Sequence, residues 1–288
     1  MERRTLQIWR LSSSSEWPHF ALSRLLVFLW YPFVQDNFRK ILGVRFYISG
    51  LDGLLDLVPD GGLIVVPSAP VMVRLEVDAA HREAVEGADM AITDSAYMVL
   101  LWLLFTGERV RRISGLRLLR GLIGRGLFRG RGDTFWVMPT AADAEANFSW
   151  LRTRGFEVVG DEAYTAPMYP RMGPLDDPGL VELIKARRPK MIVVALSGGV
   201  QERLGWYLRN HLDYRPSILC IGGAIAFLSG RQTGIPVWAD RLALGWLFRF
   251  IGDPRGFSAK VSGIGRLAPL IWKYKSRSVG SERVPGSP

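Results

Sequence analysis

The chain has 288 residues, 48% of them hydrophobic, with 37 Lys or Arg against 27 Asp or Glu and a formal net charge of +10. That length can bury a full core in one large or two small domains, and no apolar run reaches the roughly 18 residues that a membrane-spanning helix needs. The single cysteine, Cys220, excludes an internal disulfide, and His19, His81 and His211 are scattered, so no zinc-like cluster and no cofactor is expected. The positive balance points to a polyanionic partner: an anionic membrane face, a phosphorylated substrate or nucleic acid.

Residues 1–40 read as an appendage. Ser12–Ser15 is a polar link, and the apolar block Leu25–Tyr31 ends at Pro32 with Arg24 before it and Arg39–Lys40 after it. This block is too short to span a bilayer and has no small-residue cleavage site, which excludes a secretory signal. It fits an interfacial anchor or a core-packing helix equally well.

From Ile41 the pattern alternates as an α/β domain does. The predicted elements are a short helix over Leu54–Leu57, a strand over Leu63–Val66, and the loop Pro67–Pro70. A helix near Val71–Leu75 and a polar helix within Asp78–Gly87 come next. Met90–Ile92 reads as a buried strand, and Ala96–Phe105 as an apolar helix closed by Gly107. Between them stand Thr93, Asp94 and Ser95, three residue types that cap helices. Asp94 thus falls at a strand-to-helix corner, where an α/β sheet presents ligand-binding groups and a helix dipole favours negative charge. An ordinary N-cap aspartate would sit at the same place.

Arg109–Arg131 carries eight arginines and no acid, and its glycines argue against a long helix there. It reads either as a solvated basic face or as a patch for pyrophosphate or anionic lipid. Phe135–Met138 and Phe156–Val159 read as strands flanking a helix that starts after Pro139–Asp143. The proline-rich Asp161–Asp177 reads as a long loop. Helix Pro178–Arg187, strand Met191–Leu196, the glycine loop Ser197–Gly199 and a helix from Gln201 follow. Strand Ser217–Ile221 leads to Gly222–Gly223 and a further helix. Both glycine loops suit close approach of backbone N–H groups to a phosphate, and equally suit a tight strand-to-helix turn. No RNA-binding fingerprint or helix-turn-helix signature is present, so no nucleic acid partner is expected.

These segments together resemble the WecG/TagA/CpsF family of bacterial glycosyltransferases from about Leu42 to Tyr274. The resemblance rests on VVPSAPVMVRLEVDAAHREAVEGADMAITDS, ERVRRISG, MPTAADAEANFSWL, VVALSGGVQER and GGAIAFLSGRQTGIPVWADRLALGWLFRFIGDPR, in that order and spacing. It implies a two-lobed, Rossmann-like α/β enzyme with parallel-rich sheets over residues 41–248, flanked by the membrane-facing appendages 1–40 and 249–288. The implied reaction is metal-independent and inverting. A sugar passes from a UDP-sugar to a polyprenyl-diphosphate-linked acceptor, on the cytoplasmic face of the cell membrane, for a surface polysaccharide. Self-association is compatible with this, and a catalytically inactive membrane-associated scaffold is the alternative reading.

On the resemblance, Asp94 falls at the family's catalytic base, Gln201 and Glu202 at its Gln-Glu pair, and Arg249 and Arg255 in its basic C-terminal appendage. Ser68, Ser95, Arg117, Thr140, Gly198, Gly199 and Gly223 complete the expected substrate contacts. The chain departs from the pattern at Pro67-Ser-Ala69, where the family has Thr-x-Asn, at Ser95, where it has Gly, and at Arg117, where it has an acid. An arginine there implies a substrate carrying extra negative charge, or a site that leans on a diphosphate. Residues 249–288 hold eight Lys or Arg against two acids, a net of +6, interspersed with Phe250, Phe257, Leu267, Leu270, Ile271, Trp272 and Tyr274. That mixture suits an anionic membrane surface, and Ser276–Pro288 has too little to bury to be ordered.

Overall fold

The structure of the protein, a computed structural model, describes residues 37–281 apart from Thr233. The interfacial block Leu25–Tyr31 lies outside the described residues. The rest forms one unit that begins at Asn37.

The chain opens on a hairpin of β1 (Phe38–Ile41) and β2 (Val44–Tyr47), paired antiparallel through Ile41 opposite Val44. Its two-residue turn places both Leu42 (φ +53°) and Gly43 (φ +82°) in the left-handed region, the turn type whose twist matches the flanking strands. Residues Phe38–Lys40, expected in the appendage, are therefore part of the sheet. The chain continues through α1 (Leu51–Leu57), β3 (Gly62–Val65), α2 (Ala69–Val73), α3 (Ala79–Glu86), β4 (Met90–Ile92), α4 (Ala96–Thr106) and α5 (Gly115–Arg125). Its second half runs β5 (Thr134–Met138), α6 (Ala141–Arg152), β6 (Ala163–Thr165), α7 (Pro178–Arg187), β7 (Met191–Val194), α8 (Val200–His211), β8 (Ser217–Cys220) and α9 (Ala224–Leu228). The helices α10 (Val237–Arg241), α11 (Gly245–Gly252), α12 (Pro254–Val261) and α13 (Leu267–Tyr274) close the chain.

The strands form a single eight-stranded sheet in the order β1-β2-β4-β3-β8-β7-β5-β6, parallel everywhere except in the opening hairpin. The two halves of the chain meet where β3 pairs with β8, Val65 opposite Cys220. Central parallel strands are buried on both faces, which is why they read as unbroken apolar runs. Leu63, Val65, Ile192, Val194, Ile218 and Cys220 face the layer of α2, α3, α4, α7, α8 and α13. Ile64, Val193 and Leu219, one residue out of phase, face α1, α5, α6 and α9.

Two expectations are corrected by packing. Phe156 and Val158 are buried but pair with no strand. Glu162, only 4% exposed, accepts hydrogen bonds from the Val159 amide at 3.0 Å and the Gly132 amide at 2.5 Å, and the resulting turn delays pairing with β5 until Ala163. The C-terminal segment also returns to the core. Leu267, Leu270, Ile271 and Val279 are buried, the Leu42 amide donates to Lys275 O at 2.7 Å, and Ser278 Oγ donates to Glu86 at 2.6 Å. Residues 276–281 are thus packed rather than free. Trp272 stays 64% exposed, edge-on to Phe105 at 5.4 Å between ring centroids. No helix among the described residues is long and apolar enough to cross a membrane.

At the end of the sheet where β3 begins, Asp89 joins both halves of the chain. It accepts from the Leu63 amide at 2.7 Å, from Arg209 at 2.8 and 3.2 Å, and from Arg215 at 2.9 Å. Burial opposes its charge, yet the Arg209 and Leu63 hydrogen bonds and the two guanidinium charges outweigh that and hold the carboxyl below its usual range. Its stabilising effect is therefore present above the ordinary aspartate value of about 3.9 and is lost as pH falls through the lower folded-state value. Asp89→Ala strands these donors, and a loss of about 1–3 kcal/mol is expected in urea unfolding at neutral pH, shrinking in acid. Equal loss at pH 7 and pH 3 would contradict this account.

Candidate active site

Strand β4 delivers Thr93, Asp94 and Ser95 to the carboxyl end of the sheet. Ser95 caps α4, its Oγ accepting from the Met98 amide at 3.2 Å. The ordinary capping role at this corner thus goes to Ser95, and the Asp94 carboxylate turns elsewhere. Asp94 Oδ1 accepts from the Gly115 amide, the first residue of α5, at 3.2 Å, while Arg112 Nε donates to Asp94 O at 2.7 Å. Its Oδ2 accepts no hydrogen bond among the described residues, and the side chain is half-buried. The helix behind this carboxylate is α5, not α4.

The glycine at 115 permits a close approach. A Cβ there would lie 3.1 Å from Val66 Cγ1 and 3.8 Å from Ile221 O, which places the start of α5 over the ends of β3 and β8. These strands send their following helices, α2 and α9, to opposite faces of the sheet. Such a switch point opens a crevice, the usual ligand site of an open α/β sheet. Thr93 anchors the loop into α5, its Oγ1 donating to Arg111 O and accepting from the Ile113 amide at 3.3 Å. Ser114 caps α5 through the Arg117 amide at 3.1 Å.

Asp240, from α10 and only 3% exposed, completes the corner. It accepts from Ser114 Oγ at 2.7 Å and from Arg112 Nη2 at 3.3 Å, and its carbonyl accepts from Arg112 Nη1 at 2.7 Å. Arg117 lies at the same corner, Nη1 donating to Arg112 O at 3.3 Å.

The two glycine loops meet beside this crevice through buried side chains. Gln201 Oε1 accepts from the Gly222 amide at 2.7 Å, Gln201 Nε2 donates to Glu202 Oε1 at 3.0 Å, and Glu202 Oε2 accepts from the Gly199 amide at 2.6 Å. Gly199 has φ +91°, so the turn before α8 requires glycine. Arg203 donates to Gly199 O at 2.7 Å and Pro170 O at 2.6 Å, and also to Gly173 O. It pins the proline-rich loop to the glycine loop. Arg74 Nη1 reaches Gly198 O at 3.2 Å.

The profile of the Glycosyl transferase WecG/TagA/CpsF family matches residues 39–280. The chain belongs to this family. A search of curated proteins found no match.

Against the family pattern, the structure gathers Asp94, Ser95, Arg117 and the loop holding Ser68 around one crevice, with Gly223 at the start of α9. Ser68 Oγ makes no hydrogen bond among the described residues. Thr140 caps α6 at the end of β5, its Oγ1 accepting from the Asp143 amide at 3.0 Å. Arg255 is exposed on α12 and hydrogen-bonds no corner residue, and the side chain of Arg249 lies outside the described ones.

The side chains of the Gln-Glu pair bond to each other and to the amides of the two glycine loops. Glu202 is 0% exposed and Gln201 3%, so both side chains lie behind the glycine backbones they hold. The readable signal was the spacing of Glu202, three residues after Gly199, where a carboxylate reaches back to the amide at a helix start. Arg112, Asp240 and Arg203 escaped the sequence reading. Arg112 stands in a recognisable block but looks like one arginine of eight, and Asp240 is 128 residues from its partner.

Glu202→Gln tests the holding role. If the new amide oxygen serves Gly199, its nitrogen opposes Gln201 Nε2, and flipping Gln201 releases Gly222. One glycine-loop bond is forfeited either way, and a stability loss of about 1–3 kcal/mol at constant m-value is expected in urea. Unchanged stability would show that the buried pair does not hold the loops.

Proposed function

We propose that the chain transfers a sugar with inversion from a UDP-sugar to a polyprenyl-diphosphate-linked acceptor, with Asp94 as general base. The observation that carries this reading is the Asp94 carboxylate: fixed through Oδ1 by the Gly115 amide, open at Oδ2, and released from capping by Ser95. In the reaction the acceptor hydroxyl oxygen attacks the anomeric carbon from the face opposite the departing UDP. The C–O bond to the diphosphate breaks with its electron pair on UDP, and the hydroxyl proton passes to Asp94 Oδ2. Arg117 supplies positive charge at this corner, suited to a diphosphate or to an acidic sugar. The Ser68 hydroxyl and the Gly223 amide supply hydrogen-bonding groups on the crevice walls.

The acceptor's lipid implies work at a membrane surface. Supporting this, Trp238, Leu242, Trp246, Phe250 and Ile251 are exposed along α10 and α11, beside a C-terminal segment carrying a net charge of +6. Exposed aromatics next to cations suit an interfacial seat, each cation adding roughly 1 kcal/mol near an anionic leaflet.

Asp94→Asn keeps the acceptor for the Gly115 amide but removes the proton acceptor. Turnover of UDP-sugars with lipid-linked acceptor in anionic vesicles is expected to fall about 10²–10⁴-fold, with UDP affinity by calorimetry unchanged. Near-wild-type turnover would end the assignment of Asp94 as base.

A further inference from the structure

Of the two histidines among the described residues, His211 is exposed and His81 is fully buried. His81 stands in the first turn of α3, which Asp78 caps by accepting from the His81 amide at 3.1 Å. Its ring Nε2 lies 3.1 Å from Val71 O. A carbonyl oxygen only accepts, so Nε2 carries the proton and Nδ1 is the bare nitrogen. Nδ1 is buried with no hydrogen-bond partner among the described residues, and so is Asp78 Oδ2.

Three charged groups face this ring: Glu202 from α8, Asp78 from the cap of α3, and Arg74 from the turn after α2. Burial holds the imidazole below the usual histidine range, outweighing the attraction of Glu202, the Val71 carbonyl and Asp78, while Arg74 adds to the burial effect. The carboxylates that attract a charged His81 are also the ones that fasten two neighbouring loops. Asp78 Oδ1 accepts from the Gly173 amide of the proline-rich loop at 3.3 Å, and Glu202 Oε2 accepts from the Gly199 amide at 2.6 Å. Arg203, only 3% exposed, ties the two loops together through Pro170 O, Gly173 O and Gly199 O.

Asp78 is itself 4% exposed, so lifting the proline-rich loop from it admits water to the Asp78–His81 turn. Once hydrated, the ring regains the ordinary histidine value of about 6.5. Opening therefore takes up a proton, and acid favours it. The stabilising effect of the neutral ring is present in full above about pH 6.5 and is lost as pH falls from there through the lower closed-state value.

We propose that His81 is a proton-sensitive latch on these two loops, which release together in mild acid. Neutral His81 leaves Asp78 to the Gly173 amide and Glu202 to the Gly199 amide. A proton taken from solvent onto Nδ1 makes an imidazolium, which draws on both carboxylates and adds a cation beside Arg74. Both loops stand at the carboxyl end of the sheet, the end that carries the crevice. The latch stands apart from the transfer chemistry at Asp94.

Amide exchange on the full chain at pH 7.5 and pH 5.5, with the intrinsic rates divided out, tests this. His81→Gln keeps a donor for Val71 O and removes the titration. In wild type the Gly173 and Gly199 amides should exchange about tenfold faster at the lower pH, the ratio that one added proton gives one unit below the ordinary histidine value. In His81→Gln the two pH values should give equal protection. The His81 ring Cε1–H signal, followed by NMR in wild type, serves where that variant fails to fold. It should titrate below pH 6.5 and in step with loop opening. Equal protection at both pH values in wild type, the same acid sensitivity in His81→Gln, or a ring that titrates while the loops stay closed would each overturn the latch. Loops that open only together with strands β3 and β8 would do so too, because the whole chain would then be unfolding.

Discussion

The bond from the Gly115 amide to Asp94 Oδ1 carries a constraint on which the rest of the site depends. An aspartate between Thr93 and Ser95 would ordinarily cap the helix that follows it. Here Ser95 meets that need, and the carboxylate is instead held by a helix that starts 21 residues later. For this to work α5 must begin in close contact with the sheet, and a Cβ at 115 would crowd Val66 at 3.1 Å. Asp240 secures the geometry from the other end of the chain by holding both Ser114 and Arg112. Breaking such a buried, charge-assisted cluster leaves several donors unpaired at once.

The same logic governs the glycine loops. A backbone that must turn sharply beside a ligand site has few internal bonds of its own, so buried side chains stabilise it from behind. Gln201 and Glu202 do this for Gly222 and Gly199, and Arg203 extends the scaffold to Pro170 and Gly173. Family pattern alone marks the pair without saying whether it touches ligand. Glu202 is completely buried, behind the loop it holds.

Much of the fold was legible because parallel strands buried on both faces write themselves as β-branched runs between glycine turns. Leu63–Val66, Met191–Leu196 and Ser217–Ile221 were readable for this reason. The misplaced strand at Phe156–Val159 shows the limit: apolar alternation reports burial, and only the partner strand decides where pairing begins. The opening hairpin was overlooked although its Leu42-Gly43 turn separates two alternating tetrads. The tail was legible only in part. Its charges suggested a solvated, membrane-facing segment, while Leu267, Leu270, Ile271 and Val279 were already spaced to pack on the core. At the site, the strand-to-helix corner of Asp94 was readable, but its contacts with Gly115 and Arg112, and the hold of Asp240 on Arg112, form only through tertiary structure.

The central claim is that sugar transfer occurs in the crevice where β3 and β8 diverge, beside Asp94. Crystallography of the protein with UDP bound addresses it most directly. The account predicts electron density for UDP between Ser68 and the Gly222–Gly223 turn, with the terminal phosphate facing Asp94 and close enough to leave room for one sugar ring. Density for UDP at the opposite end of the sheet, near Asp89, would contradict it.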